Sequence, residues 1–289
     1  MPRPRLPSRT RPLILATFNI FWFGTADHAL VTRSAADDDA VRAVLAWIGA
    51  DVLVLQEIVD LERLEQALPP GFRIREGGHW LCPTSPDDVR FAGLQKIVIA
   101  VGPGVEVLHS APLLPWPGPR PPLVLQLRRG PLELTVVGLH LKSGDIDGGP
   151  GEGSARIRSL EAAALGAWLH GRQSVVVAGD LNARARAPSL AGLLPAGWCW
   201  PKVLAPPDSE AWTTWIDRAI IDQILTSPDL VLDPPEVLAF DLDPQFAHHQ
   251  FRTSTGFQAA RLAVIPFGPV ENLYRVSDHR PLRARLRGR

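Results

Sequence analysis

The 289-residue chain has only two cysteines, one methionine and one tyrosine. Cys82 and Cys199 stand far apart and in no metal-spaced pair, so neither a disulfide framework nor a thiolate zinc site is suggested. Free thiols in a reducing compartment are the plain expectation. An excess of charge is missing as well: Lys plus Arg and Asp plus Glu each number 30, leaving no global basic field to draw the chain onto nucleic acid. No run of 18 uninterrupted apolar residues occurs, so no transmembrane helix is expected. The arginine-rich start MPRPRLPSRTRP followed by an apolar run imitates a secretory leader. That run is rich in β-formers, holds Asn19 and lacks a small-x-small cleavage site, and a cytoplasmic protein is expected instead.

What the chain does have is a set of short apolar runs, most of β type, with polar residues at their ends. LILATFN delivers Asn19, DVLVLQE delivers Gln56 and Glu57, LELTVVGLH delivers His140, VVVAGDLN delivers Asp180 and Asn182, and AIIDQIL carries Asp222. Ser277-Asp278-His279 stands before a last strand at 281–286. Strand ends are where a rigid scaffold brings side chains together. Each residue alone reads as a turn or a solvated acid. Six in order make coincidence a poor account.

Between the runs, helical spacing predicts helices at about 36–49, 60–67 and 154–170, the last with Ile157, Leu160, Ala164, Leu165, Trp168 and Leu169 as its inward stripe. Further strands are expected at 72–75, 96–101 and 123–128. The proline-rich segment 102–122 reads as largely irregular, and 77–93 and 143–153 as loops. Residues 1–12 look like a disordered basic arm and 13–289 like a single catalytic domain acting as a monomer. Many strands and few helices point to two packed sheets with helices outside.

These residues suit attack on a phosphate ester, which requires charge stabilisation at the phosphoryl oxygens and a nucleophile made near neutral pH. Glu57, Asp278 and the amide oxygen of Asn19 are suitable contacts for Mg²⁺ or Mn²⁺. Asp180 can orient or deprotonate water, and Asn182 can hold a phosphate oxygen without adding charge. His279 needs a fixed tautomer, for which Asp222 is the natural carboxylate. His140 can stabilise the phosphate or protonate the leaving group, with Lys142 adding positive charge nearby.

The series NIFWF, LQE, GLHLKSG, AGDLNA, IDQILTS and VSDHRPL resembles the endonuclease/exonuclease/phosphatase superfamily over residues 13–286. The resemblance implies a DNase I-like, four-layer α/β sandwich of two mixed, largely antiparallel sheets with helices outside, and Mg²⁺- or Mn²⁺-dependent phosphoester hydrolysis. By motif it makes Glu57 the main metal ligand, assisted by Asn19 and Asp278. Asp180 and Asn182 become the catalytic pair and Asp222 the support of His279. Abasic-site repair members carry Tyr-x-Pro-Asn where this chain has His140-Leu141-Lys142-Ser143, and an Asp where it has Phe21. The His form is more similar to secreted nucleases, sphingomyelinase-type phosphodiesterases and phosphatases. Arg158 and Glu161 resemble an Arg-x-x-Gln pair of a bacterial branch, with Glu in place of Gln, and Arg158 is a candidate phosphate contact.

Nucleic acid is the first expected substrate and a phosphorylated small molecule or lipid headgroup the second. A non-catalytic binding protein of the same fold is the alternative from another class. His248-His249 reads as an exposed loop, and Trp198, Trp200, Trp212 and Trp215 as packing residues.

Overall fold

Alternate residues of the strand Val52–Ile58 (β2) face two different cores, Val52 and Val54 one, Leu53 and Leu55 the other. Strands buried on both faces produce this pattern. The computed structural model describes residues 11–24, 34–77, 95–144, 153–207, 209–215, 218–246 and 276–289. Around β2 lie β1 (Leu13–Phe23), β3 (Arg73–Glu76), β4 (Lys96–Val101), β10 (Leu230–Leu232), β11 (Glu236–Val237) and β12 (Leu282–Gly288). They form one sheet in the order β10-β12-β1-β2-β4-β3, with β11 on β12. A second sheet runs β5 (Glu106–Pro112), β6 (Leu123–Arg129), β7 (Leu132–His140), β8 (Val175–Asp180) and β9 (Asp222–Thr226). Each sheet holds one parallel pair, β1 with β2 and β7 with β8, among antiparallel neighbours.

The sheets meet through a core that includes Val54, Ile99, Leu125, Val136, Val176 and Ile224. At Gly138 an added Cβ would press on Val54, Ile97 and Ile99 of the facing sheet, at 3.0 to 3.2 Å, so a side chain there would require those neighbours to give way by a few tenths of an ångström. Helices α1 (Ala35–Ile48) and α2 (Leu61–Ala67) cover the outer face of the first sheet. Helix α3 (Gly153–Leu169) and a short 3-10 turn at Pro188–Leu190 cover the outer face of the second. Three apolar layers thus separate four layers of backbone, the expected DNase I-like sandwich. Helix α1 starts at a reciprocal cap, in which Ser34 Oγ accepts from Asp37 N–H while Asp37 accepts from Ser34 N–H, and it ends at Gly49 with φ 63°.

Two expectations are corrected. The segment 102–122 is not largely irregular, because Glu106–Pro112 forms β5, an edge strand with β6 as its partner and mostly exposed side chains. A one-sided edge strand needs no apolar alternation, and Pro112 falls at its last pair. On α3 the inward stripe is rotated: Ala155, Arg158, Glu161, Ala162, Leu165 and Leu169 are buried, whereas Leu160 is 48% exposed. Two charged residues face inward there, and the active site explains them. The other predicted elements fall within a few residues of their expected bounds. Residues 78–93 of the predicted loop 77–93, much of 143–153 and His248-His249 lie outside the described residues. No helix among the described residues is long and apolar enough to cross a membrane.

Candidate active site

Strand register collects the polar residues at one edge of the sandwich. In the first sheet Asn19 pairs with Gln56, next to Glu57. In the second, His140 pairs with Asp180 and Asp180 with Asp222. Because β1/β2 and β7/β8 are parallel pairs, their C-terminal ends open on the same side. Irregularities in pairing follow Asn19 in β1 and Leu55 in β2, and Phe21, Glu57 and Asn182 take positive φ of 47°, 61° and 48°. Non-glycine residues bear a cost of roughly 1 kcal/mol or more there, and such strain concentrates at sites that re-aim side chains.

The sixth segment is fastened by its own hydroxyl. Ser277 Oγ donates to Asn19 O at 2.6 Å and accepts from His279 N–H at 3.0 Å. Thr213 and Trp215 support it from the other side: Arg280 N–H donates to Thr213 O at 2.7 Å and Trp215 N–H to Asp278 O at 2.9 Å. Thr213 Oγ1 accepts the N–H of Ile221 and Asp222, at 3.0 and 3.1 Å, which links this loop to β9. Trp212 and Trp215 are buried in packing, their rings 4.4 Å apart.

Asn19 enters the site differently from the sequence expectation. Its amide oxygen accepts the N–H of Phe21 at 3.0 Å, and an N–H can only donate, so the amide nitrogen must face inward. That nitrogen donates to Glu57 Oε1 at 3.0 Å and to Asp180 Oδ2 at 3.1 Å. Asn19 therefore bridges two carboxylates as a donor. Asp180 also accepts Asn182 N–H at 2.7 Å, and Asn182 Nδ2 donates to Leu141 O at 3.0 Å.

The histidines flank one carboxylate oxygen. His140 Nε2 lies 3.7 Å and His279 Nε2 3.9 Å from Asp180 Oδ2, and His140 Nε2 lies 3.8 Å from Glu57 Oε1. Their environments push them apart. Burial, with Arg120, His279 and Lys142 nearby, holds His140 well below the ordinary imidazole range. Burial also opposes charge on His279, but Asp222, Asp278 and Asp180 overcome it and lift that group well above the range. His279 Nδ1 is 2.8 Å from Asp222 Oδ2. Burial, then the charge of Asp222, raises Asp180 to about 6. Asp278 is raised to about 6, chiefly by burial, with Glu57 and Asp222 adding. Burial raises Glu57 too, against Asn19, His279 and Arg120.

Four buried or nearly buried carboxylates crowd this edge, and the buried Oδ1 atoms of Asp222 and Asp278 find no hydrogen-bond partner among the described residues. Carboxylates held this way fit a hard divalent cation, which would reverse their upward shifts. Ligand atoms of Asp180, Asp222 and His279 all lie within 4.8 Å of one another; with His279 held as the imidazolium, the two carboxylates are the donors of that grouping beside Glu57 and Asp278.

Arg158 is not aimed at the site. Its Nη1 donates to Lys142 O at 2.8 Å and Gly144 O at 2.7 Å, and its Nε to Ser189 Oγ at 3.2 Å, behind the β7 end. Sequence reading missed Arg120, which donates to His140 O at 3.1 Å and Leu141 O at 2.8 Å. It also missed Asp241, which grips buried Arg280 through two bonds of 2.7 Å. Arg120 ends no apolar run, and Asp241, although it follows the apolar run Val237–Phe240, lies in a stretch without a strong period.

Two mixed sheets whose strand ends bring acids, amides and histidines to one edge define a DNase I-like phosphoesterase fold. The family model described as Endonuclease/Exonuclease/phosphatase family matches residues 16–279, and the chain belongs to that family. Among solved structures, the chain is similar to humanized D. rerio TDP2, with a TM-score of 0.61, 17% identity and coverage of 95% of this chain and 98% of that one. The human Nocturnin catalytic domain gives 0.60 and 16%, covering 96% and 95%. Bacteroides thetaiotaomicron mannosyl-6-phosphatase Bt3783 gives 0.61 and 15%, covering 95% and 99%. No curated protein matches the chain.

Proposed function

We propose that the protein is a divalent-metal-dependent phosphodiester hydrolase whose first substrate class is nucleic acid. The observation that carries this reading is Asp180 between two histidines of opposite character, within a cluster of buried carboxylates that a divalent cation would balance. Glu57 and Asp278 would hold Mg²⁺ or Mn²⁺, with Asp180 beside them. The ion would supply Lewis-acid neutralisation of charge on the phosphoryl oxygens.

The chain's own residues do the rest. Asp180, oriented by Asn19 and by the N–H of Asn182, takes the proton of the attacking water. His279, charged and held by Asp222, faces the charge that develops on the phosphoryl group. Neutral His140 has carboxylate oxygens as the neighbours of Nε2, which favours a proton on that nitrogen, available to a phosphate or leaving oxygen. Asn182 Nδ2 is turned to Leu141 O, so Asn182 helps to hold the β7 end as well as standing beside the phosphate position. Lys142 supplies positive charge at the rim.

A second reading, a phosphorylated small molecule or lipid headgroup, is favoured by the balance of 30 basic and 30 acidic residues. The fold accommodates both: D. rerio TDP2 has been crystallised in complex with single strand DNA product, and Bt3783 is a mannosyl-6-phosphatase. The test is a panel of plasmid, single-stranded DNA, RNA, a bis-aryl phosphate, sugar phosphates and headgroup esters with Mg²⁺ or Mn²⁺, and Glu57→Ala as control. Cleavage of a polynucleotide that Glu57→Ala abolishes supports the first reading. Hydrolysis of only the small esters transfers the assignment to the second, and no hydrolysis with any metal overturns both.

A further inference from the structure

The chain leaving β7, His140 to Gly144, keeps its partner strand only through the His140 pair and Leu141 N–H, which donates to Asp180 O at 3.0 Å, and side chains tie the rest. Arg120 Nε and Nη2 donate to the carbonyls of His140 and Leu141. Glu161 Oε2 accepts Lys142 N–H at 2.8 Å. Arg158 Nη1 donates to the carbonyls of Lys142 and Gly144. Three charged side chains, from two elements packed behind this segment, hold five backbone groups. Arg158 and Glu161 are three residues apart on α3, on one face, which is why that helix buries charge where its periodicity predicts apolar residues.

Arg120 has a stiff base. It stands among Pro117, Pro119, Pro121 and Pro122, whose fixed φ limits the freedom lost on ordering the segment. A further bond, from Nη1 to Gln95 Oε1 at 3.2 Å, sets the plane of the guanidinium. His140 needs outside control of this kind. Its Nδ1 is buried without a hydrogen-bond partner among the described residues, so no bond to that nitrogen orients the ring.

We propose that Arg120 is a positioning residue for His140, acting through the carbonyls of His140 and Leu141 and working with Arg158 and Glu161 as a clasp on the segment. This rests on the hydrolase reading for its kinetic consequence and on geometry alone for its structural one. Lysine at 120 keeps the charge but is a point donor that lacks the planar fork spanning two carbonyls. Methionine removes both charge and donors.

The experiment measures kinetics on the best substrate of the panel and the imidazole ¹H–¹³C spectrum of ¹³C-histidine protein in Mg²⁺. His140 is assigned by the resonance lost in His140→Gln. For Arg120→Lys we expect kcat lower by about 10-fold with KM within about 2-fold, and a displaced or broadened His140 resonance while His279 stays in place. Arg120→Met should lower kcat by about 100-fold. If Arg120→Met does not fold, Arg120→Lys decides alone. An unchanged His140 resonance in a folded Arg120→Lys protein, together with unchanged kcat, overturns the proposal. If the wild-type protein hydrolyses nothing, the hydrolase reading fails and the spectrum still decides the clasp: a displaced His140 signal upholds it and an unmoved one overturns it.

Discussion

Asp222 Oδ2 lies 2.8 Å from His279 Nδ1, joining the first residue of β9 to the loop that precedes β12 in the other sheet. Both side chains are buried, so their attraction is little screened. The carboxylate fixes which ring nitrogen faces Asp180 and helps to keep the imidazolium charged. For Asp222→Asn, which retains shape and removes charge, we expect kcat to fall by about 100-fold or more. With its main stabilising charge gone, His279 loses its proton at lower pH. The basic limb of the kcat/KM profile, measured at saturating metal, should therefore move to lower pH, and an unmoved limb would contradict the role given to Asp222.

The raised carboxylates also fix the sign of the pH dependence of stability. Asp180 and Asp278 at about 6 and Glu161 at about 7 all bind protons more tightly in the folded chain than in the unfolded one. Their favourable contribution is present at low pH and is lost as pH rises from the ordinary carboxylate range through those values. His279, raised, adds in the same direction: its contribution is full below its unfolded pKa and disappears as pH passes its folded one. His140, depressed, opposes them. Metal-free protein should melt higher near pH 5.5 than at pH 8, and saturating Mg²⁺ should raise Tm more at pH 8 than at pH 5.5. Calorimetry with a chelator and then with Mg²⁺ checks both; a larger metal effect at the acidic pH would refute the cation assignment.

How much of this was legible in the sequence depends on the kind of signal. Asn19, Glu57, His140, Asp180 and Asp222 were readable because each stands at the end of an apolar run, and strand register does the convergence. Arg120 was not, since a charged residue off the strand ends defaults to solvent; Glu161 was marked only by a motif, and Asp241, after the run Val237–Phe240, reads as one more solvated acid. Only the third dimension shows that their partners are backbone carbonyls, a backbone N–H, or an arginine 39 residues away. The orientation of Asn19 depends on the N–H of Phe21, two residues on, and a motif gives residue type without rotamer. The same limit applied to Arg158, whose position on α3 was found but whose direction was not.

Arg280 lies between Asp241, which it meets through two parallel bonds of 2.7 Å, and the Trp212 ring, 3.3 Å from its guanidinium carbon. Arginine and aspartate are both buried, so removing one partner leaves the other charge without compensation. Asp241→Ala should cost about 3 to 5 kcal/mol. For a chain of this size that lowers Tm by roughly 10 °C. The double variant Asp241→Leu/Arg280→Met should lose much less than the sum of the single changes. Denaturant titration of the four proteins tests this, and additive losses would mean that the pair is not coupled.

Gly118 and Glu161 provide a last, purely steric test of the packing behind the site. A Cβ built on Gly118 would fall well inside contact distance of Glu161 Oε1 and Cδ, so the carboxylate occupies the space a side chain would need. Gly118→Ala must therefore displace Glu161, and Lys142 N–H then loses its acceptor. Burial raises Glu161 to about 7 even with Lys142 N–H, Arg120, Trp116 and Arg158 around it, so the group has little alternative polar surroundings to move into. The expected loss for Gly118→Ala is about 1 to 3 kcal/mol. With Glu161→Ala already present the new methyl group has room, and the second change should cost less than it does in the wild-type background, by at least about 1 kcal/mol. A double-mutant cycle at pH 8 measures this coupling; equal costs in the two backgrounds would show that Glu161 does not fill that space in solution.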